Sequence, residues 1–185
     1  GRLISEANRR APVVDDHVTL ADIESWETPF DPVKIDTVID EAVSRVSVAA
    51  AEAGVEVAVD GEDCSAVVVG NLEQLTSAVV NLVENAIKYS PGGDGVKVAV
   101  SVRCDEDQVV IAVEDYGGGI SAEHIDRIFE RFYRVERGRG RSSGGTGLGL
   151  SIVRNVAEAH GGSVSVESVP AEGSTFTLRL PSSRS

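Results

Sequence analysis

The sequence predicts an α/β protein built as a two-layer α/β sandwich, a mixed, mostly antiparallel sheet covered on one face by helices. Three observations predict it: stretches whose apolar residues recur at helical spacing, pairs of alternating strands that close on polar turns, and glycine clusters that stop one element before the next begins. With 185 residues and 42% apolar content, the chain is long enough for one compact domain with its own core.

Residues 1–30 show weak periodicity, several acidic residues, Pro12, Pro29 and a lone Trp26, and read as a flank or linker with a helical remnant near 3–10. The folded domain is expected over 31–181, with 182–185 a tail. Asp31-Pro32 reads as an N-cap followed by proline at the first helical position, and Ile35, Val38, Ile39, Ala42, Val43 and Val46 recur at helical spacing until Gly54 stops the run. Residues 55–59 alternate as a strand and 66–69 form a short apolar run. Asn71, with Gln74 three residues on, resembles a capping pair opening the next helix. After a turn over 91–95, residues 96–102 and 109–113 read as two strands of a hairpin joined by the polar loop 105–108. Ser121 is placed to cap a brief helix through Ile128. Residues 150–159 are helical until His160-Gly161-Gly162 ends them, and 163–167 with 175–180 alternate as a closing hairpin.

Composition excludes some functions. The net charge of −13 argues against nonspecific nucleic-acid binding, which needs a basic surface to neutralise phosphates. No window reaches the roughly 18 unbroken apolar residues of a membrane span. Nor does the start resemble a secretion signal, so the segment reads as soluble and intracellular. Cys64 and Cys104 stand far apart without neighbouring His or Cys, so neither a metal site nor a disulfide framework is expected and both read as reduced thiols. The basic residues are clustered: six arginines (127, 131, 134, 137, 139, 141) stand against Glu130 and Glu136, a local +4 in an acidic chain. Such a run is either a solvated face or a place that draws a polyanionic ligand.

Four short signals carry chemistry. In Asn81-Leu-Val-Glu-Asn85-Ala-Ile-Lys88-Tyr89, Asn81, Asn85 and Lys88 share one helix face while Val79, Leu82, Val83 and Ala86 cover the other. An amide oxygen suits Mg²⁺ and a lysine suits phosphate, although the face alone also reads as polar surface in water. Asp115-Tyr116-Gly117-Gly118-Gly119 delivers a carboxylate at a strand end into a turn where backbone can approach a flat ring; alone, it also reads as an ordinary turn. The run 144–150 places a glycine-rich turn at a helix start, whose free N–H groups and dipole favour phosphate. Between them, 138–145 is too glycine-rich and charged to pack and is expected to be a mobile lid, with Phe129, Phe132 and Tyr133 placed to hinge it. Core packing is the expected role of Phe129, and Arg134 is the better placed to meet phosphate.

Taken together and in this order, the four signals resemble the catalytic, ATP-binding domain of sensor histidine kinases, within the superfamily that also contains gyrase-like and chaperone ATPases. The likeness covers residues 31–181. It implies a site that binds ATP with Mg²⁺: Asn81, Lys88 and Arg134 serving transfer; Asn85, Lys88, Tyr89, Asp115, Gly117, Gly119, Tyr133 and Arg134 binding the nucleotide with Gly145, Thr146, Gly147, Leu148 and Gly149; and Asn85 ligating the metal. Asp115 would accept from the adenine amino group.

One position separates branches of the superfamily. Gyrase-like ATPases and anti-sigma serine kinases carry a glutamate four residues before the metal-binding asparagine, where it serves as general base. Here that residue is Asn81, which cannot take a proton, and Glu84 lies about 100° around the helix from Asn85. Tyr116 is a mild departure from the family pattern. His17, His124 and His160 lack the family's acceptor surroundings and read as structural or solvent-exposed. The resemblance therefore implies a catalytic piece of a homodimeric sensor kinase, whose acceptor histidine, dimerisation domain and membrane spans lie elsewhere and which relays phosphate to a response regulator. A serine kinase of the anti-sigma type and a nucleotide-gated binding module stand as alternatives.

Overall fold

The computed structural model describes residues 29–61, 66–93, 95–105, 107–135 and 145–182. The early flank, residues 62–65 with Cys64, and most of the expected lid with Gly144 lie outside the described residues.

The first element departs from expectation. Residues Asp31–Lys34 form a strand, β1, and helix α1 spans Ile35–Ala53 with Lys34 at its N-cap and no side-chain bond there. Asp31-Pro32 is not a helix start because its backbone pairs antiparallel with β3 (Val67–Gly70), Pro32 standing opposite Val69. Proline is tolerated in so short a two-stranded edge. Gly54 does end α1, in the left-handed conformation at φ 68°.

Strand β2 (Val55–Gly61) follows, then β3, then helix α2 (Leu72–Tyr89). Asn71 caps α2 by accepting the Gln74 N–H at 3.0 Å, while the Gln74 side chain is buried with no partner among the described residues instead of reaching back. Then come β4 (Val96–Cys104), β5 (Gln108–Asp115), the single turn α3 (Ala122–Ile125), helix α4 (Gly149–Ala159), β6 (Ser163–Val169) and β7 (Gly173–Pro181). The main sheet runs β2-β4-β5-β7-β6; β2 and β4 are parallel and the other pairs antiparallel, so both predicted hairpins form. Ser121 does not cap α3 with its side chain, and that helix ends at Ile125, short of Ile128.

Alternation decides which sheet face is dry. Val98, Val100, Val109, Ile111, Val113, Phe176, Leu178 and Leu180 point inward against Leu75, Val79, Leu82 and Val83 of α2, all 0–1% exposed. The two-layer sandwich is therefore the observed architecture. Leu82→Ala is expected to lower unfolding free energy by about 2–5 kcal/mol, read as a shifted denaturant midpoint at constant slope.

Cys104 corrects the thiol expectation, because it is disulfide-bonded. Cys104 ends a strand that pairs in parallel with β2, Gly61 lying opposite Val102 two residues before it. Spacing along the chain carries no trace of that strand pairing.

His160, expected to be structural or solvent-exposed, is buried. It is 5% exposed, and burial holds its pKa below the ordinary 6.5 against the opposing hydrogen bond to the Val156 carbonyl. Between the lowered folded value and the ordinary one, the unfolded chain binds more protons, so stability rises with pH there. It is full above the ordinary value and is lost as pH falls through the folded one. Denaturant midpoints should drop as pH falls below the ordinary imidazole value of 6.5, and His160→Gln should shrink that drop.

Candidate functional site

Packing α2 onto the sheet fixes what its other face presents. With Val79, Leu82, Val83 and Ala86 at most 1% exposed, Ser77, Asn81, Glu84, Asn85 and Lys88 turn toward a cavity of about 490 Å³. Opposite stand Asp115 from the end of β5, Tyr133 and Arg134 after α3, and residues 145–150 leading into α4. Every predicted site residue except Gly117 borders this one space. A volume near 490 Å³ lies within the usual range for small-ligand sites.

Gly117 contributes from behind. Its N–H donates to Asp115 Oδ1 at 2.9 Å, and a Cβ there would run into the Tyr89 carbonyl oxygen. Only glycine allows that approach, which ties the end of α2 to the carboxylate. Asp115 itself is 4% exposed. A buried carboxylate held at one oxygen by a backbone N–H is an acceptor of fixed direction.

The glycine run meets the other two motifs. Gly147 has φ 73°, and its carbonyl accepts the Phe132 N–H at 3.0 Å. Phe132 is itself in the left-handed region at φ 64° and 66% exposed. Lys88 reaches Gly145, where a Cβ would stand 2.5 Å from Nζ. Helix α4 begins at Gly149 with no side-chain cap at Leu148, and its first backbone N–H groups have no intrahelical acceptor. Together these place a lysine, helix-start donors and Arg134 around one volume, a setting suited to a polyphosphate.

Phe129 packs into the core, edge-on to Phe176 with centroids 6.2 Å apart. Tyr133 lines the cavity while its hydroxyl shares a 2.6 Å hydrogen bond with His124 Nδ1 and Arg127 lies 4.3 Å from its ring centroid. His124 is therefore bound into the site's supporting structure. Asn81 turns back on its own helix, its Nδ2 donating to the Ser77 carbonyl at 2.9 Å. Glu84 borders the cavity beside Asn81 and Asn85, although its angular position on the helix argued for a more remote placement.

Sequence reasoning missed the wall formed by Val80, Ile120, Ile152 and Phe176, and the far end at Arg45 and Glu73. Arg45 holds Glu73 bidentately, both bonds 2.7 Å, and the guanidinium keeps that carboxyl below the usual range. The apolar members look like ordinary core in sequence. The ion pair joins residues 28 apart on two helices, and no local spacing announces it.

No group of three or more His, Cys, Asp or Glu able to hold a metal occurs among the described residues. A cation here would take one or two protein oxygens, Asn85 Oδ1 foremost, and complete its shell from ligand phosphate and water, as Mg²⁺ commonly does.

A family model described as "Histidine kinase-, DNA gyrase B-, and HSP90-like ATPase" matches residues 70–184. The chain belongs to this ATPase family. Its similar relatives are sensor kinases. The sensor-like histidine kinase SenX3 of Mycolicibacterium smegmatis is 40% identical over 182 residues, 97% of this chain and 47% of the relative. The phosphate regulon sensor protein PhoR of Pseudomonas aeruginosa is 37% identical over 178 residues, 95% of this chain and 39% of the relative. The chain thus spans less than half the length of these two relatives. Among solved structures, the mycobacterial sensor histidine kinase MprB superposes with a TM-score of 0.71 at 30% identity, over 84% of this chain and 99% of that one. Full-length ShkA, in complex with AMPPNP, gives 0.74 at 25% identity over 89% of this chain and 34% of that one. No helix among the described residues is long and apolar enough to cross a membrane.

Proposed function

We propose that this ATPase-family domain binds Mg-ATP and presents the γ-phosphoryl to a histidine of a dimerisation domain belonging to the same protein, for relay to a response regulator. One observation carries the reading: a single cavity gathers Asn85, Lys88, Asp115, Arg134 and the run 145–149, which the sequence scatters over more than sixty positions. Asp115 accepts from the adenine amino group. Lys88, Tyr89, Tyr133 and Arg134 face phosphate and ribose, and the backbone of residues 145–149 donates to phosphate oxygens. Asn85 is the protein ligand of Mg²⁺, which neutralises triphosphate charge when bound. Asn81 holds its own helix and the neighbouring turn in place and has no basic oxygen with which to activate water or a hydroxyl. Transfer then rests on positioning and charge neutralisation.

The name of SenX3, a sensor-like histidine kinase, supports a phosphohistidine product over a phosphoserine one. The working unit is a homodimer on the cytoplasmic side, with any membrane attachment supplied by segments outside this sequence. Incubating the domain with labelled ATP, Mg²⁺ and its dimerisation domain should yield acid-labile, base-stable phosphate on that partner. Acid-stable label would favour the serine-kinase alternative.

A further inference from the structure

Two helices wall the cavity, and they meet at two places. At the cavity end the Asn81 carboxamide lies against the start of α4, where a Cβ on Gly149 would stand 3.0 Å from Oδ1. At the far end one imidazole serves both helices. His160 follows the last residue of α4, its Nδ1 bonded to the Val156 carbonyl at 2.7 Å, while Nε2 accepts the N–H of Asn71, the N-cap of α2, at 3.1 Å. A carbonyl can only accept, so the proton sits on Nδ1 and Nε2 is left as the acceptor. The ring lies close over Gly70, where a Cβ would come within 2.7 Å of Nε2. Phe30 stacks on it, with centroids 4.5 Å apart and planes within 12°.

Helices are stiff, so fixing a packed pair at both ends fixes the separation of whatever they carry between those ends. From Asn71 to Asn85 the rise is about 21 Å along α2. Phe30 stands directly before β1 and is 41% exposed.

We propose that His160 is a positioning residue for the nucleotide cavity, and that Phe30, stacked on the imidazole, sets the spacing of α2 and α4 and hence the cavity's affinity. The effect is reciprocal: nucleotide in the cavity steadies the bond from Asn71 to His160. This inference rests on the nucleotide reading of the site.

Phe30→Ala removes the stack and leaves both imidazole hydrogen bonds available, while Phe30→Tyr keeps the stack. Affinity for Mg-ATP is measured by calorimetry, and exchange of the Asn71 amide hydrogen by NMR with and without a nonhydrolysable ATP analogue. Phe30→Ala should weaken binding about fivefold or more, with Phe30→Tyr close to the unaltered chain. The analogue should slow Asn71 exchange in the unaltered chain and slow it less in Phe30→Ala. A purely structural ring would alter melting temperature without altering that ligand-dependent slowing. Unchanged affinity in Phe30→Ala, or Asn71 exchange indifferent to the analogue, overturns the positioning role while leaving the nucleotide site standing. An unaltered chain that fails to bind ATP overturns both.

Discussion

Asp115→Asn should lower adenine-nucleotide affinity by about a hundredfold, the equivalent of roughly 2–3 kcal/mol for a charge-assisted hydrogen bond lost in a buried setting. The substitution is close to isosteric. Its oxygen can keep the Gly117 N–H that Asp115 Oδ1 now accepts at 2.9 Å, which leaves the NH₂ group in place of the second carboxylate oxygen. A donor then meets the donor of the adenine amino group. At 4% exposure, little water reaches the site to relieve the mismatch. Affinity for a guanine nucleotide, whose ring presents a carbonyl oxygen at the equivalent position, should fall much less. Competition titrations with ATP and GTP measure both, and an unchanged ATP affinity would place the base elsewhere.

The second large effect is expected at Asn85, and it separates metal from nucleotide. Asn85→Ala should remove most of the gain in ATP affinity that Mg²⁺ confers, exceeding the roughly 10- to 100-fold loss typical of an outer-shell partner. Metal-free ATP should bind the variant almost as it binds the parent chain, because Lys88, Arg134 and the helix start remain. Core stability should hardly change, since Asn85 lies on the cavity face of α2 while Leu82, Val83 and Ala86 carry its packing. Isothermal titration of both proteins with ATP, with Mg²⁺ and with a chelator, reads the difference. An equal Mg²⁺ dependence in the two would remove Asn85 from the metal's coordination shell.

Much of this arrangement is legible in sequence because it is local. The face shared by Asn81, Asn85 and Lys88 follows from helical period, the turn after Asp115 from its glycines, and the start of α4 from the glycine run. Three features were hidden, each by a contact between distant segments. Asp31-Pro32 carries the chemistry of a helix start, and only pairing with residues 67–70 makes it a strand. Cys104 looked like a lone thiol because the parallel register of β2 with β4 is invisible in spacing. His160 read as structural or solvent-exposed, yet its link from α4 to the N-cap of α2 spans 89 residues. Local pattern names the residues that face a ligand; it does not name those that hold the walls apart.

In the proposed reading one cavity takes the base at Asp115 and the metal-bound triphosphate at Asn85. Calorimetric titration of the chain with ATP, ADP and adenosine, each with and without Mg²⁺, tests it most directly. The account predicts saturable one-to-one binding in which Mg²⁺ tightens ATP most and adenosine not at all. Absence of saturable ATP binding, or Mg²⁺ acting equally on adenosine and ATP, would contradict it.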